Sequence, residues 1–204
     1  MRQSETNVSE LARSLLTLSR ASAEATLHRV RGRLLEAQGR SVEAAGQYRA
    51  SADLFSQLSG GSPSGSVAGL RSRLAVIYSG EKKFEEARSN IRETLRIRTR
   101  LQQESGIAFA YILAARIELA ANQPEAAMKF ALNAQAAAAR TKLDDVIAEA
   151  TEIEADVILE SGKVDALPRS IAAYRTALDV YKRSELRPSL VRASASLGAV
   201  YERV

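Results

Sequence analysis

The chain has 204 residues, 46% of them hydrophobic but only 5% aromatic, and 29 basic against 24 acidic side chains give a formal charge of +5. Few aromatics and many alanines suit closely set helices better than a β core. With no cysteine and one histidine, disulfides, thiolate zinc sites and two-histidine metal sites are excluded, and so small a charge surplus on an elongated surface does not by itself mark a nucleic-acid binder. The polar start, and the lack of any apolar run near the roughly 18 residues of a membrane helix, predict a cytoplasmic chain with no membrane role.

In chain order, residues 1–20 read as a polar tip and a short helix, and residues 21–204 as one repeat domain. On the short helix Val8, Leu11, Leu15 and Leu18 make one stripe, with Ser9 or Asn7 available as its cap. A first hairpin sets Leu27, Val30, Leu34 and Leu35 before a turn at Gly39, then Val42, Ala45, Tyr48, Ala52 and Phe55. Between Leu58 and Val67 the run SGGSPSGS opposes helix and reads as a surface loop. The second hairpin pairs Leu70, Leu74, Ile77 and Tyr78 with Phe84, Ala87, Ile91 and Leu95, with Gly80, Lys82 and Lys83 as the break and Gly106 as the next one.

A third hairpin carries Tyr111, Leu113, Ala114 and Ile117, then, from Pro124, Ala126, Ala127, Phe130, Ala131 and Ala134. The alanine-rich run that continues to Ala139 predicts a helix that another backbone approaches closely. The fourth hairpin sets Val146, Ala150, Ile153 and Val157 before a longer turn from Gly162, and Ile171, Tyr174, Ala177, Leu178 and Tyr181 after it. Pro168 can stand in the first turn of that second helix. A last helix with Leu190, Leu197, Val200 and Tyr201 is either an end cap or the first half of a truncated hairpin, giving four helix pairs plus a terminal helix.

One small residue recurs on the first helix of each pair: Gly32, Ala75, Ala115, Ala155 and Gly198, at spacings of 43, 40, 40 and 43. Such a period marks a repeat array, because one hairpin cannot bury its own apolar face. Around these positions the residues resemble the tetratricopeptide repeats, whose pattern is Leu-Gly-x-x-Tyr followed by Ala-x-x-x-Phe. Leu197, Gly198 and Tyr201 match the first part, Leu74, Ala75 and Tyr78 match it with alanine for glycine, and Gly32 with Leu35 matches it in part; Ala44 with Tyr48 and Ala87 with Ile91 resemble the second. No tryptophan stands at the family's preferred site, Pro188 is the one candidate for a closing proline, and the unit is longer than the usual repeat of about 34 residues. The longer unit resembles the variant of kinesin light chains and of many bacterial regulators.

The resemblance implies an all-α, right-handed α-solenoid of tandem helix-turn-helix repeats. It further implies a non-catalytic scaffold that holds a protein or peptide partner in a concave groove lined by the first helix of each pair. Two alternatives stand beside it: a ligand- or peptide-sensing domain of a larger bacterial regulator, and a nucleic-acid-binding solenoid.

Chemistry is mostly excluded. His28, the sole histidine, lies inside a helix with no catalytic partner placed beside it, and the glycine cluster Gly60–Gly65 lacks the lysine of a phosphate cradle, so neither an enzyme, a cofactor nor a metal site is expected. Tyr48, Tyr78, Tyr174 and Tyr201 read as core rather than as a stacking platform for bases. Arg88, Arg92, Arg96 and Arg100, interleaved with Glu85, Glu86 and Glu93, read as a solvated face.

If the first helices line a groove, Arg29, Arg33, Arg73 and Arg116 make its early half basic. Asp145, Glu149, Glu152, Asp156 and Glu160, at steps of 4, 3, 4 and 4, make its later half acidic. That division predicts a partner with separate acidic and basic stretches and argues against nucleic acid. The family's clamp for a terminal carboxylate is not reproduced, since no asparagine accompanies Arg29, Arg33 and Arg73.

Overall fold

A computed structural model describes the backbone of residues 2–202 and the side chains of residues 15–202. Among them nine helices and no strand occur: α1 (Arg2–Ala37), α2 (Ser41–Leu58), α3 (Gly65–Gly80), α4 (Phe84–Arg100), α5 (Glu104–Ala120), α6 (Pro124–Thr141), α7 (Asp144–Glu160), α8 (Ala166–Arg183) and α9 (Arg187–Tyr201). Each packs chiefly on its neighbour in sequence, so that α1/α2, α3/α4, α5/α6 and α7/α8 are stacked hairpins and α9 follows unpaired. The fold is thus an all-α solenoid. The first helices also meet one another, α3 with α5 and α5 with α7, whereas the second helices do not come together to the same extent. From α3 to α7 the first helices therefore form the more closely set layer.

Small side chains let the helices approach. Ala25, Ala68 and Ala108 have no exposed surface and their counterpart Ala148 is 2% exposed, and on the second helices Ala44, Ala87 and Ala127 are likewise sealed. Hydroxyls then reach across to backbone: Ser51 donates to the Ala25 carbonyl at 2.7 Å, Thr94 to Ala68 at 3.3 Å and Ser170 to Ala155 at 2.9 Å. A polar group in each contact is satisfied without water. The larger core side chains, Tyr48, Leu74, Ile117, Ile153, Tyr174 and Tyr181, fill the spaces between these close approaches.

Three expectations are corrected. The expected break near residue 20 is absent: residues 2–20 are the N-terminal part of α1, which runs without interruption from Arg2 to Ala37, a stretch with a single glycine and no proline to stop it. The side chains of Asn7, Val8, Ser9 and Leu11 lie outside the described residues. Leu27, Val30 and Leu34 are about half exposed, not core, and Leu15, Leu18 and Val42 are exposed too. The packing face of α1 is instead the one carrying Ala25, Gly32 and Leu35, and among the described residues no helix covers the other side.

Some of the turns are also made differently. Gly39 and Gly162 stand at left-handed turn positions as expected, with φ of 74° and 62°, but Gly80 ends α3 and Gly106 lies inside α5; in the middle of the stack the left-handed residues are Lys82, Gln102, Asn122 and Lys142, with φ of 60°, 53°, 56° and 55°. They fall 20 residues apart, each closing one helix of the stack. Behind them the next amide reaches back five residues, Lys83 to Tyr78 at 2.8 Å, Gln103 to Arg98 at 3.0 Å and Gln123 to Glu118 at 2.8 Å. This is the hydrogen-bonded helix end that glycine usually supplies.

Candidate interaction surface

The ionic residues singled out in the sequence lie on α1, α3, α5 and α7, the first helices of the four pairs. On α1, Arg29 is exposed and its guanidinium carbon stands 5.9 Å from the centre of the Phe55 ring on α2. Arg33 is exposed and has no ion-pair partner among the described residues. On α3, Arg73 contacts Glu36 at 3.2 Å, and the same carboxylate accepts the Tyr48 hydroxyl at 2.6 Å. Burial, then that hydrogen bond, push the Tyr48 hydroxyl up to about 12. Arg29, Arg33 and Arg73 converge on one cavity of about 340 Å3 between α1 and α3, walled by Tyr48 and Leu70 and floored by Gly65 and Gly69.

The later residues are arranged otherwise. Arg116 Nε donates to Glu149 at 2.8 Å; its Nη2 is 2.7 Å from the same oxygen but too poorly aligned to bond. Glu152 is only 4% exposed and accepts Arg192 Nε at 3.0 Å, Arg192 Nη2 at 2.9 Å and the Tyr181 hydroxyl at 3.1 Å. Asp156 accepts the Tyr174 hydroxyl. Burial raises the Asp156 carboxyl above its ordinary value, the Tyr174 hydrogen bond opposing it, and burial likewise raises Tyr174 and Tyr181. Three of the five stripe carboxylates are thus engaged within the protein; Asp145 is half-buried and Glu160 exposed.

Sequence reasoning missed the partners. Glu118, buried on α5, receives Arg88 from α4 through Nε at 2.9 Å and Nη2 at 2.6 Å, so Arg88 belongs to an inter-helix pair while Arg96 pairs with Glu93 on the same helix at 2.6 Å. The available signal was register: Glu118 stands 40 residues after Tyr78, at a position the repeat uses for a core side chain. Arg192 carried no comparable mark, since α9 has no second helix to fix which way it faces. His28 is half-buried and its Nδ1 bonds the Gln47 side-chain oxygen at 2.8 Å, tying α1 to α2. Tyr201 is 45% exposed, not core, and its hydroxyl accepts Arg175 Nη2 at 2.9 Å.

Among the described residues no group of three or more histidine, cysteine or acidic side chains is placed to hold a metal, and no helix is long and apolar enough to cross a membrane. No family model matches the chain, and no curated protein does either. In fold it is similar to the crystal structure of BtubC (BKLC) from P. vanneervenii, with a TM-score of 0.62, 16% identity, and coverage of 98% of this chain and 91% of that one. The likeness is one of fold. It extends along both chains almost entirely, so the stacked-hairpin architecture, rather than a single hairpin, is what BtubC shares.

Proposed function

We propose that the chain is a non-catalytic protein-interaction module of tetratricopeptide type that holds a segment of a partner along the layer of first helices. The observation that supports this reading is the layer itself: α1, α3, α5 and α7 follow one another along one side of the stack, α3, α5 and α7 closely set, with Arg29, Arg33, Arg73 and Glu160 exposed on it. Closer spacing on one side of a stack is what curvature produces, which supports taking that side as concave. An extended backbone or helix laid there would meet several repeats at once, gaining affinity from many modest contacts rather than from one deep pocket.

The test is to select peptides from a displayed random library against the whole chain and to map their footprint by hydrogen exchange. Protection concentrated on α1, α3, α5 and α7 is the expected result. Protection confined to α2, α4, α6 and α8, or a selection that enriches no binder, overturns the reading.

A further inference from the structure

The outer side of α1 exposes side chains at positions that the later repeats use to join helices. Counted from the recurring small residue, Leu27 corresponds to Leu70, Ala110, Ala150 and Ala193, and Leu34 to Ile77, Ile117, Val157 and Val200. All of these but the half-buried Val157 are sealed, and they cluster with the second helix of the preceding pair: Leu70 and Ile77 with Tyr48 of α2, Ala110 and Ile117 with Ile91 of α4, Ala150 with Ala131 of α6, and Ala193 and Val200 with Tyr174 of α8. Leu27 and Leu34 are 48% and 58% exposed, since among the described residues no second helix lies before α1.

The exposed stripe is long. Helical spacing puts Leu16, Ala23, Leu27, Val30 and Leu34 on one line, all of them exposed, and from end to end that line spans roughly 27 Å. An apolar line of this length, at positions that elsewhere in the stack receive a helix, is shaped to receive one here.

Charge decides which helix. Along one edge of the stripe stand Glu24 and Arg31, both exposed and neither with an ion-pair partner among the described residues. When two copies of one helix pack antiparallel about a two-fold axis, their like edges meet. An axis passing between Leu27 and His28 sets Glu24 of each copy opposite Arg31 of the other, so both charges are answered twice over. Leu27 and Val30 then fill the centre, and Leu34 lands beside Ala23 of the other copy, where a small side chain leaves room for it. The face is complementary to itself, as an isologous contact requires.

We propose that α1 packs antiparallel on α1 of a second copy, so that the protein is a two-fold dimer joined at the α1 end of its stack. Arg29 and Arg33 line the cavity on the α3 side of α1, away from this stripe, so the dimer leaves the first-helix layer open. The proposal stands apart from the segment-binding reading, and either can fail without the other.

Sedimentation velocity of the whole chain over a concentration series reads the association, with circular dichroism to check that each variant folds. Expected are a dimer at micromolar concentration and a monomer when Leu27→Glu and Leu34→Glu are combined. Glu24→Arg and Arg31→Glu should each weaken the dimer about tenfold, because like charges then face each other. An equal mixture of these two variants should form a mixed dimer as tight as the parent, since every arginine in it meets a glutamate. Leu15→Glu changes an equally exposed leucine off the stripe and should leave the dimer intact.

A parent chain that stays monomeric up to roughly 100 μM overturns the proposal. So does a dimer that survives the double leucine variant, or one that Leu15→Glu abolishes, because either result places the contact on another face. A mixture of the two charge variants that stays monomeric overturns the antiparallel pairing, and this arm decides alone if the leucine variant fails to fold.

Discussion

Gly32 and Gly198 occupy the same place in the repeat and should respond to substitution with opposite sign. A Cβ on Gly32 would stand 2.6 and 2.7 Å from two ring carbons of Tyr48. That ring is held by its hydroxyl on Glu36, so it cannot swing aside without breaking a half-buried hydrogen bond. Gly32→Ala should cost on the order of 1 to 3 kcal/mol in denaturant melts, as overpacking does, and Ala75→Leu, at a site with no exposed surface, should cost a similar amount. At Gly198 a Cβ meets nothing, because no helix packs over α9 there, and Gly198→Ala should stabilise by roughly 0.5 to 1 kcal/mol through helix propensity. Equal effects at the two glycines would mean that the repeat register is misassigned.

Asp156 gives a second residue-scale test. Burial raises its carboxyl, so the proton is held more tightly in the fold than in the unfolded chain. Stability should therefore fall as pH rises from the ordinary value of 3.8 through the raised folded value, and the charged form is the less favourable one near neutrality. Asp156→Asn keeps an acceptor for Tyr174 and should be at least as stable as the parent near neutral pH, the difference fading in acid. A variant weaker than the parent at neutral pH, by an amount that grows with pH, would show that the carboxylate is stabilised by its surroundings instead.

At the scale of the element, the helices end where the hydrogen-bonded turn needs them to, with glycine at the left-handed position after α1, α2 and α7 and a residue with a side chain there after α3, α4, α5 and α6. Gln102 holds φ at 53° and closes α4 through the bond from Gln103 to the Arg98 carbonyl. A side chain with a Cβ is strained in that region by roughly 1 kcal/mol, which glycine avoids at a smaller cost in unfolded-state entropy. Gln102→Gly should therefore raise stability by about 0.5 kcal/mol, while Gly106→Ala should not be neutral, since a Cβ there stands 2.8 Å from the Arg98 side chain. Thermal melts of the two single variants separate these effects.

The helices themselves were legible because alanine and aliphatic spacing alone specify which stripe is buried in the middle of the stack. At its ends the same inference fails: α1 has a neighbour on one side only, so Leu27, Val30 and Leu34 look like core in sequence and stand in solvent. The ionic surface was legible only as a set of positions on the first helices. Whether Glu152 meets a ligand or Arg192 depends on a contact 40 residues away, across two turns, one left-handed at Gly162 and the other at Glu185.

On the scale of the whole molecule, a stack in which each helix touches mainly its neighbours should lose stability locally. The pair between Glu152 and Arg192 tests this, because it joins α7 to the terminal helix α9 while Tyr181 on α8 supplies the remaining bond. Arg192→Met keeps most of the apolar stem but leaves a carboxylate that is 4% exposed with a tyrosine hydroxyl as its one remaining partner. An underpaired buried acceptor costs about 1 to 3 kcal/mol, and the 40% exposure of the arginine side chain sets the expectation at the lower end. Hydrogen exchange should quicken in α9 and in the facing parts of α7 and α8, and stay unchanged in α1 to α4, whose contacts are several repeats away. Uniformly faster exchange along all nine helices would show instead that the solenoid opens as one cooperative unit, with the α9 contact stabilising every repeat at once.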